Sequence, residues 1–269
     1  MDLFGKDMVI GDFKLSDYGL MLASFGTNNE EEELGMDYEV IEEFIGNNPV
    51  PLYLGSKYTS KLMPQATIIK NQCLDNKDYF TEHECREVLR QLTGFRGYKL
   101  MQIYLDEPDE LYYFNVRVQK VSYKKICGKV VGIILSMECD SQFAWSKEYQ
   151  YTYNVSPDKN LVLVNISDDL NNYLLPHVTI IPKASIANLE INNITDNDWT
   201  TSIKNIDINE TLIMDSKNQT LQSSKTDRII LNDFNLHFIR LVSGRNEFSV
   251  NAECTIILKF RVPRKVGFL

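Results

Sequence analysis

The sequence has few of the residues on which most enzyme chemistry depends. Its 269 residues include three histidines and five cysteines, and no two cysteines stand in a CxxC spacing. The three histidines leave little scope for imidazole chemistry, and the odd cysteine count favours buried free thiols over a disulfide framework. No apolar run approaches membrane-spanning length, and the N-terminus lacks the charged and apolar regions of a signal peptide. We therefore expect folding in a reducing cytosol, without secretion or membrane insertion.

Positive charge is also scarce. Lysine and arginine total 28 against 37 aspartates and glutamates, which gives a formal net charge of -9. A surface with this net charge repels phosphates, so the composition argues against a protein that binds nucleic acid. The acidic residues are densest at Glu30, Glu31, Glu32 and Glu33, within an acidic block from Glu30 to Glu43 that is expected to form a solvated loop.

Catalytic motifs are missing as well. The sequence contains no GxSxG elbow, no GxxxxGK[ST] loop, no GxGxxG after a strand and no EF-hand loop. His83 begins a stretch that resembles a zinc-protease helix but lacks the second histidine, so we expect it to face solvent. His177 and His237 are expected to be ordinary sheet residues. The sequence predicts no catalytic, cofactor-binding or metal-binding residue, and no enzyme.

Two aspartate-rich stretches offer oxygen ligands of the kind that calcium prefers. They are Asp168-Asp169 and Asp196-Asn197-Asp198. Asx capping of turns explains both without a metal, and this is the interpretation we favour.

One helix is predicted at about residues 81–93. Thr81 and Glu84 have the spacing of a capping box, and an apolar stripe of Cys85, Val88, Leu89 and Leu92 follows. Gly94 stands where a left-handed C-terminal residue is expected. A helix with one apolar stripe must bury that stripe against something else, here the sheet formed by the strand-like runs around it.

The rest of the chain predicts strands. In the first half the runs are Met8–Ser24 (two short strands), Ala66–Gln72, Lys99–Leu105, Leu111–Lys120, and a hairpin of Val121–Ile126 with Val130–Cys139. In the second half they are Tyr149–Val155, Leu161–Asn165, His177–Pro182, Ala187–Asn192, Thr201–Ile206, Glu210–Asp215, Arg228–Leu231 and Asn246–Arg261. The predicted fold is mainly β: an N-terminal sheet domain with one helix (1–147) and a C-terminal β-sandwich (148–269).

Trp199 is the one candidate ligand-binding residue. It lies in the polar stretch Asn197-Asp198-Trp199-Thr200 and has the chemistry to stack on a sugar ring. A loop tryptophan folded against its own sandwich is the alternative. A carbohydrate-binding module that recognises a host wall polymer is accordingly our second functional hypothesis.

Two passages resemble the distal tail protein (Dit) family of long-tailed phages that infect Gram-positive bacteria. The first comprises Thr81–Leu92, Tyr98-Lys99-Leu100, Asp106–Asp109, Tyr112–Val118, and Val130–Asp140 leading to Trp145. The second runs from Pro176 to Val250 and includes Ile191-Asn192-Asn193, Glu210–Asp215 and Leu241–Phe248. The chain departs from the family before the helix, where Glu30–Glu43 and Asn47–Tyr58 replace an arginine- and glycine-rich loop.

The resemblance implies a structural virion protein. The N-terminal (belt) domain would close into a homohexameric ring, with a galectin-like sandwich outside it. The ring would join the tail tube protein to a hub or tip protein, with a receptor-binding protein as a further partner. DNA would traverse it without specific binding, and no cofactor is implied. Glu30–Glu33 would then face the lumen or its rim, in a tail tip assembled in the host cytoplasm.

Overall fold

The chain folds into two compact units. The structure, a computed structural model, describes residues 3, 5–23, 38–71, 78–104, 111–157 and 159–265. The first unit comprises Met1–Ser146 with Lys265–Leu269, and the second comprises Lys147–Arg264. In the described ranges the only α-helix is α1 (Glu82–Thr93) and the regular structure is otherwise mainly strand, which confirms the predicted mainly-β fold.

The first unit is built on one antiparallel sheet. Its strands are β1 (Asp7–Ile10), β2 (Phe13–Lys14), β3 (Leu20–Leu22), β6 (Gln65–Lys70), β7 (Lys99–Tyr104), β8 (Tyr113–Ile126) and β9 (Lys129–Cys139). Their order in the sheet is β2-β1-β7-β8-β9-β6-β3. A short strand, β10 (Ala144–Trp145), pairs with the start of β8. A separate two-stranded hairpin consists of β4 (Tyr38–Glu43) and β5 (Leu52–Tyr58).

Two predictions for the first unit were wrong, one for the acidic block and one for the strands that follow residue 111. Tyr38–Glu43, the described end of the acidic block, is a strand rather than a solvated loop, because Tyr38, Val40 and Ile41 favour extended backbone. Leu111–Lys120 and Val121–Ile126 are largely one continuous strand, which pairs with β9 from Val116 to Ile126 across bulges at Gln119 and Val131. The segment Asp106–Asp109, one of those that resemble the distal tail proteins, lies outside the described residues.

Helix α1 (Glu82–Thr93) confirms the predicted capping box. The Thr81 hydroxyl accepts from the Glu84 amide, and the Glu84 carboxylate accepts from the Thr81 amide at 2.7 Å. Cys85, Val88 and Leu92 are buried in the core of the sheet. The left-handed role predicted for Gly94 is wrong, because its φ is -69°. A Cβ there would lie 2.5 Å from the Arg90 carbonyl oxygen, so glycine permits a close approach instead.

The second unit is a two-sheet β-sandwich. Its strands are β11 (Tyr149–Val155), β12 (Leu161–Asn165), β13 (His177–Pro182), β14 (Ile186–Asn193), β15 (Trp199–Ile206), β16 (Leu212–Asp215), β17 (Thr220–Ser223), β18 (Gly244–Val250) and β19 (Cys254–Phe260). One sheet has the order β11-β19-β13-β16-β17 and the other β12-β18-β14-β15. A single core lies between them, with Val178, Leu189 and Leu241 fully buried.

Several strands predicted for the sandwich differ from those in the structure. Arg228–Leu231 is not a strand and leads into a short 3-10 turn at Ile230–Asp233. Asn246–Arg261 is divided between β18 and β19, and β17 was not predicted at all. The turn before β18 depends on Asn246, whose fully buried amide donates to the Val242 and Gly244 carbonyls at 2.8 and 3.1 Å.

Candidate interaction surfaces

Trp199 lies in a stack of planar side chains. The His237 ring is parallel to the indole with centroids 4.1 Å apart, and the Arg240 guanidinium carbon lies 3.6 Å from the indole centroid. Two groups this close to one centroid overlap unless they cover opposite faces. Arg240 also lies 4.1 Å from the Tyr173 ring centroid, and the indole N–H donates to the Phe238 carbonyl at 3.0 Å.

This stack occupies the surface that a sugar would need. Both faces of the Trp199 ring are covered, so stacking on a sugar requires the displacement of His237 or Arg240. His237, expected in a sheet, lies outside the strands, and its role here is to cover an indole. His83 is exposed, as expected, and His177 is the first residue of strand β13, which agrees with the sheet position expected for it. The acidic candidates Glu30–Glu33 lie outside the described residues.

The aspartates weighed as calcium ligands have other partners. Asp196 is buried and accepts from Arg240 Nε at 2.6 Å, which holds the guanidinium against the indole. Asp169 accepts from the side chain of Asn172 at 2.9 Å. A search of the described part of the chain finds no group of three or more His, Cys, Asp or Glu residues that could hold a metal ion. The same part contains no helix long and apolar enough to cross a membrane.

Three of the cysteines are buried free thiols, as predicted. Cys85, Cys139 and Cys254 lie in the two cores, and burial raises the pKa of Cys139 to about 12 and that of Cys254 to about 11. Cys127 is exposed, which corrects the expectation for this residue. It occupies the tight turn between β8 and β9 with φ of 48°, ahead of Gly128 at 77°, and such a turn projects from the sheet.

The carboxylates of Glu138 and Glu210 each form ion pairs with basic side chains. Glu138 on β9 accepts from Arg117 at 2.6 Å, from Lys61 at 3.1 Å and from Gln119, and these bonds lower its pKa to about 2. Glu210 in the sandwich is 1% exposed and accepts from Arg228 at 2.5 Å. Each of the two clusters joins residues of a single unit and stabilises that unit.

The β4–β5 hairpin carries a dense group of exposed apolar side chains. Every residue of β4 is exposed, and so is every residue of β5 except Gly55. Its large exposed apolar side chains are Tyr38, Val40, Ile41, Phe44, Ile45, Val50, Leu52, Tyr53, Leu54 and Tyr58. They project from both faces of the ribbon, because side chains alternate along a strand. Sequence reasoning missed this surface, although the alternation of Tyr38 and Val40 with Glu39 was a signal for a strand.

Comparison with known proteins identifies the family. Residues 4–141 match the profile of a phage tail protein N-terminal domain, and residues 143–260 match that of a phage tail C-terminal domain. The chain belongs to this family of phage tail proteins. It is therefore a structural component of the phage virion. No curated protein sequence matches it.

The fold is that of distal tail proteins. The crystal structure of the SPP1 Dit protein, titled a paradigm of the hub adsorption apparatus in Gram-positive infecting phages, aligns with a TM-score of 0.64 at 13% identity, covering 95% of this chain and 98% of that one. Two activated phage P2 baseplate structures, with calcium and with strontium, align at 9% identity with TM-scores of 0.46 and 0.49. Each of these alignments covers 96% of this chain and 94% of the baseplate chain. The predicted resemblance to Dit is thus confirmed.

Proposed function

We propose that six copies of this tail protein form a ring that joins the tail tube to the adsorption apparatus at the tail tip. Two supports come from the comparisons: both units match phage tail domains, and the fold follows that of a protein described as part of a hub adsorption apparatus. The galectin-like sandwich would lie outside the ring.

The exposed β4–β5 hairpin is the structural feature that supports self-assembly. A two-stranded ribbon is marginally stable alone in water, and this one exposes large apolar side chains on both faces. Phe44 at its tip is 71% exposed. Exposed apolar surface of this kind marks a site that another protein covers. In a cyclic assembly the hairpin of each copy would be covered by its neighbour.

The partners follow from this position in the virion. The ring would contact the tail tube protein on one side and a hub or tip protein on the other, with a receptor-binding protein docked to it. DNA would pass through the lumen without specific binding, and the net charge of -9 keeps phosphates from adhering. We propose that Glu30–Glu33 face this lumen or its rim. Assembly would take place in the host cytoplasm.

Negative-stain microscopy of the purified chain tests the proposal directly. We expect six-fold annuli with a central hole. The substitutions Phe44→Ser and Tyr53→Ser should abolish them, because they remove apolar surface that the neighbour covers. Ile208→Ser and Leu231→Ser, on exposed apolar residues of the sandwich, form the matched control and should leave the rings intact. Monomers at all concentrations, or rings of another symmetry, would contradict the proposal.

A further inference from the structure

Strand β8 has an open edge over most of its length. Strand β9 pairs with it on one side from Val116 to Ile126. On the other side β7 pairs only with Tyr113–Val116, so no described strand lies beside β8 from Arg117 to Ile126. The backbone N–H and C=O groups along this edge are placed to accept another strand.

This edge is positively charged in an acidic protein. From residue 117 to residue 137 the sequence has no aspartate or glutamate, and its cations are Arg117, Lys120, Lys124, Lys125 and Lys129. Arg117 pairs with Glu138, and Lys129 lies over the Tyr79 ring. Lys120 is exposed and has no ion-pair partner among the described residues, and Lys124 adds a second positive charge on the same face of the strand. This face of the β8 edge is therefore positive and can attract an acidic surface.

The β4–β5 hairpin has the complementary charge. Strand β4 carries Glu39, Glu42 and Glu43, and the only cation of the hairpin, Lys57, pairs with Glu39 at 3.0 Å. Glu42 and Glu43 have no cationic partner within the described ranges. No described strand except β5 pairs with β4, so the outer edge of β4 is also open in the described part of the chain.

The spacing of the charges also matches. Glu39 and Glu43 are four residues apart on one face of β4, since the bulge in this hairpin adds its extra residue to β5. Lys120 and Lys124 are four residues apart on one face of β8, the face opposite the side chains that enter the core. Two strands that pair edge to edge place residues of equal spacing opposite each other.

We infer that β4 of one copy adds to the open edge of β8 in the next copy, with Glu39 and Glu43 opposite Lys120 and Lys124. The inference rests on the proposed ring and names the two surfaces that close it. Six residues of β4 span about 20 Å and ten residues of β8 about 33 Å, so the edge is long enough. The occupant is a second copy because, among the residues that the structure describes, the hairpin stays exposed and no strand pairs with this edge of β8.

Charge reversal tests the contact. The acidic-side variant is Glu39→Lys with Glu43→Lys, and the basic-side variant is Lys120→Glu with Lys124→Glu. Each variant alone places like charges at every contact, so we expect the association constant to fall roughly tenfold, with a smaller fall at high salt. Lys159→Glu with Lys183→Glu, two exposed lysines of the sandwich, matches the charge change of the basic-side variant and should have no effect.

Mixing the two variants provides the decisive measurement, by sedimentation velocity and microscopy. An equimolar mixture places a lysine-bearing hairpin against a glutamate-bearing edge and the reverse, so alternating rings should re-form. Wild-type rings that both reversals leave unchanged would overturn this contact while the ring stands. Rings that each reversal weakens but that mixing does not restore would overturn the pairing of these residues. A wild-type chain that stays monomeric would overturn the ring and this contact together.

Discussion

Arg228→Met should destabilise the second unit by about 3 kcal/mol, because it leaves a carboxylate buried without its counter-ion. Glu210 is 1% exposed and lies 2.5 Å from Arg228. The guanidinium also donates to the Lys204 carbonyl and to Asp233. Lys225→Met is the matched control, since Lys225 pairs with Asp207 at the surface, where an ion pair contributes at most about 1 kcal/mol.

Urea unfolding of the full chain measures both losses. Trp145 belongs to the first unit and Trp199 to the second, so a Trp145→Phe background makes tryptophan fluorescence report on the sandwich alone. The free energy of unfolding of each variant is compared with that of this background. A loss for Arg228→Met as small as that for Lys225→Met would refute the reasoning.

The pH dependence of the same loss provides a second check. Burial opposes ionisation of Glu210, but hydrogen bonds from Ser223, the Asp207 amide and Arg228 outweigh it and lower the pKa of Glu210 below 4.5. Its contribution is therefore present above pH 4.5 and lost as the pH falls through the folded pKa. Without Arg228, burial should raise that pKa. The difference between variant and wild type should shrink on acidification, as the buried carboxylate takes up a proton.

Three further predictions concern other parts of the chain. Gly94→Ala should cost about 1–2 kcal/mol in urea unfolding because its Cβ would collide with the Arg90 carbonyl, whereas Gly97→Ala meets no atom within 4 Å and should be neutral. The stability difference between wild type and Glu138→Gln should decline as the pH falls from 4.5 to about 2, where the wild-type carboxylate protonates; a constant difference would contradict this. Trp199→Ala should leave cell-wall binding in a pull-down unchanged, because both indole faces are already covered, and lost binding would revive the sugar hypothesis.

The sequence predicted correctly those helices and strands whose local residue pattern matches the burial of the same residues in the fold. The strand His177–Pro182 alternates between exposed and buried residues over the residues predicted, and its buried residues enter the sandwich core. The capping box at Thr81 and the apolar stripe of α1 also follow from the sequence, since both depend on contacts within four residues. Long-range pairing decided the cases that failed. Arg228, read as the start of a strand, turns inward to neutralise Glu210 eighteen residues earlier.

The candidate interaction surfaces also depend on contacts between residues that are distant in sequence. Trp199 looks available for a ligand in the sequence, because His237 and Arg240 lie far along the chain and only the tertiary structure brings them onto its two faces. The acidic hairpin looks like a solvated loop, because charge density says nothing about strand pairing.

The sequence by itself determined the chemistry and the class of this protein. It indicated an acidic, histidine-poor, mainly β chain with one capped helix, and two of its passages resemble the distal tail protein family. Only the tertiary structure decided which surfaces remain exposed. Whether the apolar side chains of a strand enter a core or stay in water depends on what packs against them, and that is set by contacts distant in sequence. For this reason the hairpin β4–β5 and the open edge of β8 emerged only from the fold.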